Sequence, residues 1–415
     1  MKTKMSFKDK RMDIMKLRFF YKRAFLIYAL ILATEFSKIK GFDFVTAIMM
    51  IWGIGLLGYD VYDSKGKCLF KNVVLLSFMI LGIMTCILNV DPVKNFNIYI
   101  ITVIQIFVLY SFDMRNRFSN IKKEINKINF AFIVTTFGLT LLGIIFYKFN
   151  LDLFPFSMTD YSKGEFFKGF YIISKIAAMA SYISVVLSIM CITTMKRVGI
   201  YKRIASFYIV NILLQGYAML YTGSIGVWVA SLLFIVIAFM MMIPNKIVRR
   251  VISALVAIGI IIGIGAIRNS DYVQERQAIW ENGFISVFSD HPIIGAGPSN
   301  VPTIIENSLN EDLGSLKYRR TENSYLDVLY SNGIMGFVTF ICFLMNAMWM
   351  LYRRAFNNVM SEKDLIYVKL IFAFLTSILI INFVESKIIY SVNLIAAVFW
   401  IYMSYGAFVV KRYRE

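Results

Sequence analysis

Arg276-Gln-Ala-Ile-Trp280, His291-Pro-Ile-Ile-Gly-Ala-Gly-Pro298 and Thr321-Glu-Asn-Ser-Tyr-Leu326 punctuate one long polar interval, Arg268 to about Asn323, in an otherwise apolar chain. On both sides of it the sequence is built for lipid. With 59% hydrophobic and 17% charged residues over 415 positions and a mean hydropathy of +0.67, the chain is too apolar for a soluble globule. A helix needs about 20 mostly apolar residues to cross the hydrocarbon core. Twelve runs qualify, centred on residues 24 to 37, 42 to 60, 72 to 90, 96 to 112, 129 to 147, 170 to 195, 204 to 222, 225 to 243, 247 to 267, 325 to 352, 365 to 382 and 388 to 410. The expected fold is therefore all-α: a polytopic membrane protein of about 12 transmembrane helices with one long extracytoplasmic loop.

The net charge of +19 would point to nucleic acid in a soluble protein, but its distribution follows topology. With the N-terminus inside, 30 of the 44 Lys and Arg fall in inside connections and 12 in outside ones, with Lys175 and Lys369 within spans. The positive-inside rule accounts for that asymmetry, so no nucleic-acid partner is expected. The organisation reads as a basic cytoplasmic segment 1–23, spans one to nine over 24–267, an extracytoplasmic loop 268–324, spans ten to twelve over 325–410 and a cytoplasmic tail 411–415. The first apolar run lacks a small-residue cleavage signature and is read as a retained span. Cys68, Cys86, Cys191 and Cys342 lie in or beside apolar runs, which indicates neither a disulfide framework nor a thiolate metal site.

Within the insert, Val273, Gln277, Trp280, Phe284 and Val287 recur at helical spacing and predict an amphipathic helix on the outer membrane surface. Arg276 and Trp280 are one turn apart there, either a snorkelling Arg over an aromatic ring or a guanidinium aimed at a phosphate with a ring for a sugar. His291-Pro292 closes the helix, and Gly295, Gly297 and Pro298 make a constrained turn. His291, the chain's single histidine, invites a general-base role but stands where a capping or packed residue is more common. Lys317-Tyr-Arg319-Arg320 is a solvated cluster or an anion clamp. Ser324 and Asp327 fit a capping box opening the tenth span, with Glu322 and Asn323 just ahead of it. Glu322 is a carboxylate able to accept a proton from an attacking hydroxyl. Lys175, about one turn inside the sixth span, either snorkels or meets a lipid-borne phosphate.

In order, these pieces resemble the O-antigen polymerase and O-antigen ligase superfamily: Arg276 and Trp280, His291 to Gly297, Glu322-Asn-Ser-Tyr-Leu326, then Asn332-Gly-Ile-Met-Gly336, with Tyr221-Thr-Gly-Ser-Ile-Gly226 upstream. Two departures stand out. Glu322 occupies a position where many members, ligases especially, carry His, and Ile225 follows Ser224 where members often carry Arg. The first makes a repeat-unit polymerase the better fit, with a ligase of the same superfamily as the alternative and a non-enzymatic flippase or transporter behind both. The resemblance implies a GT-C-like glycosyltransferase at the cytoplasmic (inner) membrane. It would move glycan between undecaprenyl-diphosphate-linked donor and acceptor outside the cytoplasm, without cofactor or metal, among membrane lipids and alongside flippase and chain-length regulator proteins. Arg276, Arg319 and Arg320 would stabilise the leaving diphosphate and Glu322 would serve as base or orienting acceptor. Trp280, Asn323, Lys175 and His291 complete the expected substrate-binding set.

Overall fold

A computed structural model of the chain describes residues 7–64, 73–89, 91–110, 118–149, 151, 157–161, 165–195, 200–267, 271–308, 321, 323–356, 360–383 and 388–412. It is an α-helical bundle, and each of the twelve apolar runs carries a helix: α1 (Phe7–Leu32), α2 (Phe42–Ser64), α3 (Val73–Leu88), α4 (Pro92–Ile104), α5 (Phe118–Lys148), α6 (Ser174–Thr194), α7 (Ile200–Tyr221), α8 (Ile225–Met242), α9 (Lys246–Ile267), α12 (Ser324–Arg354), α13 (Glu362–Ile381) and α14 (Leu394–Arg412). The insert adds α10 (Asp271–Asp290) and α11 (Val301–Ser308). Among the described residues eight helices are long and apolar enough to cross a membrane, and Val73–Leu88 and Leu394–Val409 are shorter apolar helices. At 1.5 Å per residue a 16-residue helix such as α3 reaches only about 24 Å, short of a hydrocarbon core of about 30 Å. α4 gains its length by running on into a π-helical stretch, Gln105–Leu109.

At one end of the bundle ion pairs join neighbouring helices: Arg18 of α1 meets Asp60 of α2, Arg23 meets Glu124 of α5 at 3.3 Å, and Lys122 meets Asp364 of α13 at 2.7 Å. The opposite end holds the insert. There a short hairpin, β1 (Thr159–Asp160) with β2 (Phe166–Phe167), sits between α5 and α6. It is fastened to the α1–α2 connection by Lys168 Nζ to Glu35 Oε1 at 2.8 Å and an isolated bridge between Thr34 and Tyr171. Burial pushes the Glu35 carboxyl up, but hydrogen bonds from Lys168 and Lys38 outweigh it and hold the group below the usual carboxylate range.

The core is aromatic and aliphatic and includes fully buried Trp400, Tyr182, Phe374 and Tyr402. A polar ladder runs through it from α5 to α7. Thr140 donates to Gln215 Oε1, Gln215 to Asn211 Oδ1, and the Asn211 amide to Ser184 Oγ and Ser188 Oγ. Lipid tails give little hydrophobic drive for helix association, so such side-chain bonds and close packing hold adjacent spans together. Across the connection between α7 and α8, Gly223 has a φ of +63° and would drive a side chain into the Phe166 ring. The sequence places a turn at Tyr221 to Gly226, and a turn stands there.

Candidate functional site

α12 is not one uninterrupted helix. Gly333 has φ +65° and ψ −173°, which breaks the hydrogen-bond ladder two to three turns in, where the sequence reading expects a continuous tenth span. The insert's glycine turn fills the break. Ala296 N donates to Tyr330 O at 2.8 Å and Gly297 N to Ser331 O at 3.0 Å. In return, Ile334 N donates to Pro292 O at 3.0 Å and Met335 N to Ile293 O at 3.4 Å. Backbone groups freed by the kink are thus satisfied by another backbone, a condition for irregular chain at membrane depth. A Cβ on Gly295 would lie 2.4 Å from Gly333 N, and one on Gly333 2.2 Å from Ile293 O, so both glycines are required by the approach of two main chains.

α3 and α4 grip the other side of the same turn. Thr85 Oγ1 donates to Ile294 O at 2.8 Å, and Asn89 Nδ2 to Gly295 O at 2.9 Å. Asn95 Oδ1 accepts from Ser299 N and Ser299 Oγ, each at 2.8 Å. His291 takes part only through its backbone, which accepts from Gly295 N, while its imidazole is exposed at the end of α10.

α10 does not simply rest on a surface. Ile279 and Val287 are fully buried in a small second core with Ala296, Val301, Ile305 and Tyr330, whereas Phe284 is 48% exposed. The buried line is therefore Ile279, Gly283 and Val287, rotated from the expected stripe because α11 and α12 cover that side. Gly283 leaves room for Tyr330, whose hydroxyl donates to Trp280 O at 2.7 Å.

The start of α12 is similarly overdetermined. Trp280 Nε1 donates to Thr321 O at 2.8 Å, and Thr321 Oγ1 donates to Asp327 Oδ1 at 2.6 Å. Asn323, and not Ser324, is the N-cap: its Oδ1 accepts from Tyr325 N at 2.9 Å and Leu326 N at 3.2 Å. The expected capping box is replaced because Asp327 turns to Thr321 and Ser324 turns to α13, where its hydroxyl donates to Asn382 Oδ1 at 2.8 Å. Deeper, Asn332 accepts from the Tyr390 hydroxyl, its Nδ2 is buried without a partner among the described residues, and Tyr390 has a φ of +60°.

Of the expected site residues, Trp280 and Asn323 are brought together through Thr321. Glu322, Arg319, Arg320 and the side chain of Arg276 lie outside the described residues, although Thr321 and Asn323 on either side of position 322 are buried and bonded. Lys175 is half-buried at the start of α6, one residue after the amide that Asp160 Oδ2 caps at 2.8 Å. Tyr390 was not singled out by the sequence, and Asp327 and Asn332 stood there only as a capping-box residue and the first residue of a motif. Asn332-Gly333, a turn dipeptide inside an apparent span, was the one local signal for the break.

α10, the glycine turn, α11 and the first half of α12 are contiguous in one stretch of chain. Residues 210–341 match the family model described as O-antigen ligase. The matched stretch runs from α7 through the insert to the middle of α12, covering both the turn at Tyr221 to Gly226 and the mated glycine turn and kink. The resemblance to the O-antigen polymerase and ligase superfamily seen in the motifs is borne out over this third of the chain. No curated protein matches the chain. The chain is accordingly a multi-pass, all-α membrane protein similar to glycan transferases of O-antigen processing.

Proposed function

We propose that the protein is a polysaccharide repeat-unit polymerase, joining O-antigen, capsule or exopolysaccharide repeats on the outer face of the cytoplasmic membrane. The supporting observation is that, within the family-matched stretch, Trp280, the glycine turn and the first turns of α12 are bonded to one another, the glycine turn being locked into the Gly333 kink. A rigid scaffold at a helix N-terminus suits binding of a diphosphate because the helix dipole favours anions there, the first-turn amides of α12 themselves being taken by Asn323 and Asn382. Orientation rests on the excess of Lys and Arg in connections at the end opposite the insert.

In this reading the acceptor is the non-reducing terminal sugar of one undecaprenyl-diphosphate-linked glycan. Its hydroxyl oxygen attacks the anomeric carbon of a second, the bond from that carbon to the diphosphate oxygen breaks, and the prenyl diphosphate leaves. Glu322 accepts the hydroxyl proton, and Arg276, Arg319 and Arg320 take up the charge that develops on the leaving oxygen. Thr321 is pinned by Trp280, and Asn323 caps α12. Flippase and chain-length regulator proteins would work alongside. A ligase is the second reading, favoured by the description of the matched family, and disfavoured by a carboxylate at position 322.

The deciding experiment is incubation of purified protein with a defined lipid-linked repeat. A ladder of lipid-linked oligomers supports polymerase. Transfer only to a separate acceptor glycolipid, with no oligomers, identifies a ligase, and no transfer to either refutes both. Glu322→Ala and Arg276→Ala are expected to lower the rate by at least about 100-fold, within the range for losing a general base or an electrostatic stabiliser, while membrane expression persists. A normal ladder from Glu322→Ala removes it as the base.

A further inference from the structure

At the end of the bundle opposite the insert, two cations converge on one ring. The Arg249 guanidinium of α9 lies 3.6 Å from the centroid of Phe356, and Lys369 Nζ of α13 lies 5.2 Å from the same centroid. Arg249 is only 7% exposed, although Ile247, Val248, Val251 and Leu255 around it on α9 are open to lipid. It therefore faces inward from a peripheral helix. Its Nη1 donates to Ile243 O at 3.2 Å, and its Nε is buried with no partner among the described residues. Tyr352 lies alongside, with its ring 5.7 Å from Arg249 Cζ and stacked on exposed Trp349.

Two like charges beside one ring, with a buried guanidinium N–H left over, is a costly arrangement for a protein interior. The acids in the first turn of α13 do not offset it: Glu362 is exposed, and Asp364 bonds Lys122 and Ser361. Positive-inside topology explains cations at this end but not the inward turn of Arg249 or the placing of Lys369 inside a span. A phosphate would answer all three features. It would accept from Arg249 Nε, neutralise Lys369, and leave its acyl chains among the lipid-facing residues of α9 and beside Trp349.

We propose that Arg249, Lys369, Phe356 and Tyr352 form a binding site for the phosphate headgroup of an anionic phospholipid in the leaflet opposite the insert. The test is native mass spectrometry and thermal unfolding of the full chain. Detergent-purified protein is supplied with phosphatidylglycerol, with phosphatidylcholine, or with inorganic phosphate and no lipid. Wild-type protein is expected to retain phosphatidylglycerol in preference to phosphatidylcholine, with the preference falling at least about tenfold in Arg249→Gln/Lys369→Gln. The neighbouring exposed-site variant Arg250→Gln should keep it. Should the double variant fail to fold, Lys369→Gln alone, which leaves the buried guanidinium in place, is expected to weaken retention several-fold. Equal retention of the two lipids by wild type, or an unchanged preference in a folded variant, overturns the proposal. Stabilisation by inorganic phosphate as strong as that by phosphatidylglycerol overturns the assignment to a lipid.

Discussion

A methyl group on Gly333 would sit 2.2 Å from Ile293 O and 2.6 Å from Ile294 N, and the residue has a φ of +65°. A backbone at φ +65° and ψ −173°, open in practice only to glycine, alone costs a residue with a side chain about 1–3 kcal/mol, and the overlap is with main chain that cannot swing aside. Gly333→Ala should therefore lose more than about 2 kcal/mol and unseat the glycine turn, read as a lower unfolding midpoint and poorer recovery of monodisperse protein. Gly138→Ala, whose added methyl meets nothing within 4 Å, is the control. Equal behaviour of the two variants would show that the turn and kink are not mated. Glu35 gives a second residue-scale expectation, this one in pH. Its folded-state pKa is depressed, since the bonds from Lys168 and Lys38 overcome the burial that would raise it. Its contribution is thus present above the unfolded carboxylate value of about 4.3 and is lost as pH falls through the lower folded value. Glu35→Gln should be less stable than wild type by about 1–3 kcal/mol at pH 7, with the gap closing toward pH 3. A gap that does not narrow in acid would mean the carboxylate is not held by its lysines.

At the scale of elements, the insert works as a clamp between α10 and the start of α12, and Trp280 is where the two meet. Trp280→Phe keeps most of the ring but removes the donor to Thr321 O, at a cost of about 1 kcal/mol. Because that bond positions the chain just before position 322, the variant should fold and express yet build oligomers more slowly in the lipid-linked assay. An unchanged ladder would show that the bond is structural only. The helices themselves were legible in the sequence, since each long apolar run is its own local signal. So was α10, though not the side it buries, because Ile279 and Val287 are covered by elements distant in sequence. What escaped the sequence is pairing across distance. The break at Gly333 is tolerable only because Pro292 to Gly297, some forty residues earlier, supplies its hydrogen bonds, and no periodicity within α12 reports that. The cap shows the same limit: Ser324 fits the local pattern, but its bond to Asn382 of α13 leaves the role to Asn323.

Across the whole molecule, the distribution of charge and the position of the insert make one joint prediction about sidedness. The more basic connections lie opposite the insert, and basic connections stay on the cytoplasmic side in bacterial-type membranes. Ser289 is exposed on α10, and Glu362 is exposed in the first turn of α13 at the other end. In a background with the four native cysteines replaced by alanine, Ser289→Cys should react with a membrane-impermeant maleimide added to intact spheroplasts, and Glu362→Cys only after permeabilisation. The reverse pattern would put the insert in the cytoplasm. There a polyprenyl-linked glycan delivered to the outer leaflet could not reach it, so the proposed reaction would fall together with the orientation. Labelling of both sites without permeabilisation would mean that α12 and the chain on to α13 do not carry the two positions to opposite faces. That outcome would contradict the reading of α12 as a span, broken at Gly333 but still crossing.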